Sequence, residues 1–237
     1  MAKFSFDLHI HSCLSPCGDN DMLPSNIVGM AALKELDVIA LTDHNSSKNC
    51  PAFMALAEAY GITAIPGMEI NTSEEVHALC LFKTLSAAMD FDKYVHERLV
   101  KVENKTDFFG KQEIVDEDDN IIGIEPFLLI NATTIDFYEL TDLTAEFGGI
   151  MIPAHVDKSA NSLISNLGFI PPDSKFSCAE VKHIGILDKL LEKNPFLKNC
   201  KIISNSDAHY LGDINEPVNF IEAKTNNIDD IFYALSH

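Results

Sequence analysis

Short apolar segments rich in β-branched residues alternate along this chain with longer segments of helical periodicity. Lys3 to Ile10 predicts a first strand, followed by a polar loop and a helix from about Ser25, where Pro24-Ser25 supplies a start signal. Val38 to Thr42 predicts a second strand, and Pro51 to Tyr60 a helix stopped by Gly61. Ile62 to Ile70 and Val76 to Phe82 predict two more strands, and Ser86 to Val102 a helix. Between about Glu103 and Phe127 the pattern breaks, and Val115 to Ile122 has the form of a hairpin with an acidic turn. Thr133 to Phe147 then predicts a helix ending at Gly148-Gly149. Ile150 to Ala154, Phe176 to Val181, Lys201 to Asn205 and Val218 to Ala223 predict the remaining strands, with helices near 160–167, 185–193 and 228–236. Such alternation predicts an α/β fold with a parallel sheet, and seven or eight strands favour closure into a barrel. No repeat or linker divides the chain, so 1–237 reads as a single domain with an insertion at about 103–127.

Composition changes this picture little. The 237 residues are 46% apolar and 22% charged, ordinary for a folded domain with a real core. No apolar run approaches the roughly 20 residues that cross a bilayer, and the N-terminus lacks the basic-then-apolar pattern of a secretory signal. A cytoplasmic protein without membrane attachment is the expectation. Six scattered cysteines without a CxxC pair predict free thiols, with Cys13 and Cys17 as small buried ones.

Charge is more informative. Lys plus Arg total 17 against 36 Asp plus Glu, a formal charge of −19, and Arg98 is the single arginine. A nucleic-acid binder usually carries a basic stripe, so the charge predicts that extended nucleic acid is an unlikely partner. A small phosphorylated substrate remains compatible if metal ions supply positive charge locally.

The chemistry lies in the histidines. Six of nine sit at strand ends or just after them, beside carboxylates. His9 and His11 lie two apart on the first strand and so share a face. Asp19 follows in the loop, His44 follows the second strand, Glu69 ends the third, and His77 opens the fourth. His155 closes the fifth, and Asp207 with His209 follow the seventh. In a parallel barrel the C-terminal strand ends meet at one rim, where active sites are built. A set of imidazoles and carboxylates without cysteine suits zinc, manganese or iron(II). Three ions, with Glu69 bridging two, is the natural count.

Asp7-Leu8-His9-Ile10-His11-Ser12, Thr42-Asp43-His44, Pro66-Gly67-Met68-Glu69-Ile70, Ala154-His155 and Ser206-Asp207-Ala208-His209 resemble, in order, the motifs of the PHP (polymerase and histidinol phosphatase) phosphoesterases. The resemblance runs from residue 7 to residue 209 and implies a distorted (β/α)7 TIM-like barrel with a three-metal site. It implies that His9, His11, Glu69 and Asp207 hold a first ion, Glu69, His77 and His155 a second, and Asp19, His44 and His209 a third. Asp19 is preferred to Asp21 because it stands five residues before Pro24. Asn20 stands where the family carries glycine, and Val156 where many members carry proline.

The implied activity is metal-dependent hydrolysis of a small phosphorylated metabolite or nucleotide, with Glu69, Asp207 and His209 as catalytic residues. The alternatives are an exonuclease-type phosphodiesterase and a metal-binding regulatory module without turnover. Lys158, three residues after His155, is the basic candidate for holding the substrate phosphate, and His183 is a second substrate contact. Asp43 either supports a ligand histidine or caps the loop at Asn45.

Overall fold

The computed structural model describes residues 1–237. Strands β1 (Ala2–Ile10), β2 (Val38–Leu41) and β3 (Thr63–Asn71) pair in parallel, with α1 (Pro24–Leu33) and α2 (Cys50–Tyr60) as their crossovers. Each crossover starts at a proline, and α2 ends where Gly61 adopts φ +70°.

The parallel pattern stops there. Strand β4 (His77–Phe82) runs antiparallel to β3 and to β7 (Gly149–Pro153), and β10 (Phe220–Ala223) runs antiparallel to β1. The physical reason for the first reversal is the connection. Residues 72–76 form a tight turn, with the Thr72 N–H donating to Val76 O at 3.0 Å, too short to hold a crossover helix. The main sheet has the order β10-β1-β2-β3-β4-β7, and β8 (Cys178–Glu180) pairs in parallel only with β9 (Lys201–Ile203). Irregular backbone bonds tie this pair to the sheet, from Val156 N–H to Glu180 O at 2.9 Å and from His11 N–H to Ala208 O at 3.0 Å. The architecture is therefore a mixed α/β fold with a curled, half-barrel sheet, which corrects the expectation of a regular parallel (β/α)7 barrel.

Two helices are shorter than the periodicity predicts. Helix α3 (Leu85–Arg98) ends because Leu99 turns extended and bridges Thr133. Residues 133 and 134 serve the same bridge region, donating to Asn71 O and Arg98 O, so α5 (Phe137–Glu146) starts late. The segment 103–127 holds a one-turn helix α4 (Thr106–Phe109) and the hairpin β5 (Glu113–Val115) and β6 (Ile121–Ile124). It docks through Asn49, whose Nδ2 donates to Glu113 O and whose Oδ1 accepts from the Val115 N–H, and through Lys48 paired with Glu125. Helices α6 (Leu163–Leu167), α7 (Leu187–Lys193) and α8 (Ile228–Ser236) complete the fold. No helix is long and apolar enough to cross a membrane.

One irregularity positions the site. Phe6 pairs with Val38 and Asp7 with Ile39, but Ile10 pairs with Leu41, so β1 carries one extra residue. A bulge of this kind re-aims side chains. Phe6 and Leu8 pack with Val38 and Ala40, whereas Ile10 packs with Ile39 and Leu41. His9 and His11 belong to neither apolar layer.

Close strand packing also fixes two glycines. A Cβ on Gly149 would stand 2.6 Å from Leu81 O and 2.7 Å from the Phe82 ring, and one on Gly67 would stand 2.7 Å from Cys80 O. Backbone cannot yield as a flexible side chain does. We expect Gly149→Ala to lower stability by about 1–3 kcal/mol, read from urea unfolding; an unchanged midpoint contradicts this packing account.

Candidate metal centre

Glu69, near the end of β3, lies at the centre of the histidines. Its Oε1 stands 3.3 Å from His9 Nε2, 3.1 Å from His77 Nδ1 and 3.1 Å from His155 Nε2. Its Oε2 stands 3.5 Å from His11 Nε2 and 3.0 Å from His44 Nδ1. Asp207 Oδ1 closes the same space, 3.4 Å from His9 Nε2 and 3.5 Å from His11 Nε2. Glu69 and these five histidines are buried.

Outer partners set which ring nitrogens face inward. Glu180 Oε2 lies 2.9 Å from His9 Nδ1 and also accepts from Asn205 Nδ2. Ser15 Oγ donates to Asp43 Oδ1 at 2.7 Å, accepts from the His44 N–H, and lies 3.0 Å from His11 Nδ1. The His209 Nδ1 lies 2.9 Å from the Asp207 carbonyl. These heavy-atom partners assign the proton to Nδ1 in all three rings. In their neutral forms the Nε2 atoms of His9 and His11, 3.1 Å apart, then present lone pairs to each other and to two carboxylates. Such a convergence of acceptors fits a cation. Further unpartnered buried nitrogens agree: His44 Nδ1 (close to Glu69 but without hydrogen-bond geometry), His77 Nε2 and His155 Nδ1.

The electrostatics point the same way. Burial alone would lower His9, but the carboxylates of Glu180, Glu69 and Asp207 hold it well above the usual imidazole range. Burial and neighbouring His44 push His11 well below that range. Glu69 and Asp207 stay low despite burial, because His77, His9 and His44 surround the first, and His9 and His11 the second. The cluster holds anionic carboxylates beside imidazoles of which His11 and His44 resist protonation, so it attracts positive charge.

Three groups of potential ligand atoms lie within 4.8 Å of one another: His9, His11 and Glu69; His44, Glu69 and His77; and His11, His44 and His209. Asp19 is outside these groups. Its backbone N–H bonds to His209 O at 2.9 Å, which ties its loop to the cluster, while its Oδ1 accepts from the Asp21 N–H. Asp21 is exposed.

Lys158 bonds to Asp207 Oδ2 and lines a cavity of about 300 Å³ together with His44, His77 and His209. His183 is absent from that lining. Glu180 takes the inward place at the end of β8, and the chain then turns so that the N–H groups of Lys182 and His183 bond to Asp157. The His183 ring follows, with Nδ1 2.7 Å from Asp157 Oδ2. Cys13 is buried, whereas Cys17 is exposed and lines the cavity.

Asp43 turns to Ser12 and Ser15 rather than capping Asn45. Glu180 and Ser15 are the supporting residues that sequence reasoning missed. For Glu180 a signal existed, a carboxylate interrupting the apolar run of β8; Ser15, an ordinary loop serine, offered none. Two site residues also carry positive φ, His155 at +31° and Asp207 at +54°, a conformation that non-glycine residues keep only when surroundings impose it. Here Glu180 supplies part of that restraint, accepting from the His155 N–H.

A family model described as the PHP domain matches residues 7–167. The chain belongs to the PHP domain family. This family is metal-dependent, and the His/Glu clusters described above are where this PHP chain could bind metal. An uncharacterized Methanocaldococcus jannaschii protein, MJ1587, is 34% identical over 76 residues, 29% of this chain and 44% of that protein. Endonuclease Q from Pyrococcus furiosus is similar in fold, with TM-score 0.66 and 19% identity over 99% of this chain and 56% of its own. A proposed metal-dependent phosphoesterase from Bifidobacterium adolescentis has TM-score 0.62 and 15% identity, covering 97% and 95%. The PHP chain thus spans less than two thirds of the length of endonuclease Q and of the archaeal relative.

These likenesses correct one expectation. Endonuclease Q has been captured with a 27-mer duplex bearing an abasic lesion at its active site, and that structure has TM-score 0.65 to this chain. Net charge therefore does not make nucleic acid an unlikely partner. It averages over the whole surface, whereas a phosphate meets only the charge of the site.

If the outer bonds orient the ligands, Ser15→Ala should weaken metal binding about 10- to 100-fold without unfolding the protein. Competition against a chromophoric chelator measures this, and unchanged affinity contradicts the role given to Ser15.

Proposed function

We propose that this PHP chain hydrolyses phosphoester bonds at a site holding three divalent ions, with zinc, manganese or iron as the metals its ligand chemistry suits. The observation that carries the reading is Glu69, one buried carboxylate with three imidazoles at Oε1 and two at Oε2. A carboxylate with imidazoles around both oxygens is suited to bridging two cations. His9, His11 and Asp207 would complete one, His77 and His155 the second, and His44 and His209, with Asp19 from the adjoining loop, the third. Bound there, the ions would supply Lewis acidity to a phosphoryl oxygen and make water acidic enough to attack phosphorus near neutral pH.

The chain's own groups then have defined tasks. Glu180, Ser15 and the Asp207 carbonyl hold the rings of His9, His11 and His209 so that each keeps Nε2 for the site. Lys158 can turn from Asp207 to a non-bridging phosphate oxygen arriving in the cavity. Ser159 and Asn161 offer further polar contacts there. Fixed positive charge of this kind favours a transition state in which negative charge spreads over the phosphoryl oxygens. His183, outside the cavity, has no task in this scheme.

A cavity of about 300 Å³ admits a phosphate together with one of its substituents, as in a small metabolite or a nucleotide, and leaves the second substituent of a diester outside. A terminal or extruded nucleotide of a strand meets the same limit, and the likeness to endonuclease Q supports including nucleic acid among the substrates. Glu69→Gln removes the central charge while keeping the shape. Hydrolysis of bis(p-nitrophenyl) phosphate and of a short oligonucleotide, each with added manganese, should fall at least a thousandfold in this variant. Wild-type rates with an intact fold would rule the scheme out.

A further inference from the structure

Beside the metal cavity lies a second cleft of about 440 Å³ that shares Lys158 and Ser159 with it as a common wall. Its lining is of two kinds. Val156, Ile164, Ile186 and Leu190 supply an apolar wall, and Lys189 and Lys193 supply charge. The two lysines are four residues apart on α7 and so share a face. Both are exposed, and neither ammonium has a carboxylate within 4.0 Å. The acid in the lining, Asp157, is engaged by Lys182 and His183.

The location of these charges is unusual for this chain. Residues 155–202 hold seven lysines against five carboxylates, while the rest of the chain holds ten basic residues against thirty-one acidic ones. Two unpaired like charges on one helix face repel each other, and an anion between them would relieve that repulsion. An aliphatic wall beside lysines can also cover the apolar face of a base or sugar while the lysines meet its phosphate.

We propose that this cleft binds the nucleic-acid strand continuing from the phosphoester held at the metal cavity, with Lys189 and Lys193 on a flanking backbone phosphate and the Ile164–Leu190 wall against a base or sugar. The proposal rests on the phosphoesterase reading, which it extends from a phosphate ester in general to a single-stranded phosphodiester substrate. Lys189 and Lys193 belong to no part of the metal site, so they can be removed without touching it.

The test compares the wild type with Lys189→Ala/Lys193→Ala in two measurements. The first is the affinity for a fluorescein-labelled ten-nucleotide single strand, by anisotropy across a salt series in buffer containing calcium rather than manganese. The second is manganese-dependent hydrolysis of bis(p-nitrophenyl) phosphate, which has no flanking phosphate. The double variant should bind the ten-mer roughly tenfold more weakly. Its log K against log salt slope should be shallower by about 0.7, the value for one phosphate no longer neutralised on a single strand. Hydrolysis of the small diester should be unchanged, and Lys189→Arg/Lys193→Arg should restore binding.

An unchanged slope and affinity overturn the cleft assignment even if the enzyme is active. Equal weakening of binding to a labelled mononucleotide overturns the strand reading, since a mononucleotide does not extend beyond the cavity. A strand-binding loss in the double variant, with no hydrolysis of either substrate by wild type, upholds the cleft and rejects the phosphoesterase reading.

Discussion

A carboxylate buried among five imidazoles must be balanced by positive charge, and the surroundings of Glu69 make protons an incomplete answer. His9 can take a proton, because Glu180, Glu69 and Asp207 raise its basicity. His11 and His44 cannot readily do the same, since burial and their imidazole neighbours lower theirs. Desolvating each unbalanced charge costs several kcal/mol, so divalent ions stabilise this arrangement better than a single proton does. The identity of the inward nitrogens, the burial and the donor set without thiolate all fit one arrangement, a closed cage of acceptors that could hold metal.

The fold is arranged to satisfy that requirement. A strand alternating strictly would send Phe6, Leu8 and Ile10 to one side and Asp7, His9 and His11 to the other. The extra residue in β1 breaks the alternation, so Leu8 and Ile10 fill different apolar layers while His9 and His11 both enter the site. The antiparallel β4 brings His77 to Glu69 across the β3–β4 pair, where its strand neighbour is Asn71. The loop after β7 is held at positive φ by Glu180, which at the same time orients His9. One carboxylate thus links backbone strain at His155 to ligand geometry at His9.

Much of this was legible in the sequence. The histidines and carboxylates at strand ends, in their order, pointed to the cluster around Glu69 and to the family resemblance, because rim chemistry leaves polar residues where apolar runs stop. Strand direction was not legible. His77-to-Phe82 reads as an apolar run whichever way it pairs, and only the five-residue connection before it carries the sign of the reversal. The helix ends at Arg98 and Phe137 were set by a long-range bridge between Leu99 and Thr133, which local periodicity cannot contain. Ser15 was hidden for a similar reason, since its role comes from Asp43 and His11 meeting around it. The inference from net charge failed because it treated a sum over the chain as a property of the site, while Lys158, Lys189 and Lys193 line the metal cavity and the cleft beside it.

The central claim is that the Glu69 cage holds divalent ions. Elemental analysis of protein purified without chelators, and again after reconstitution with manganese or zinc, tests it most directly. The account predicts about three equivalents of zinc, manganese or iron per chain. Fewer than one equivalent of any such ion after reconstitution, in protein shown to be folded, would contradict it.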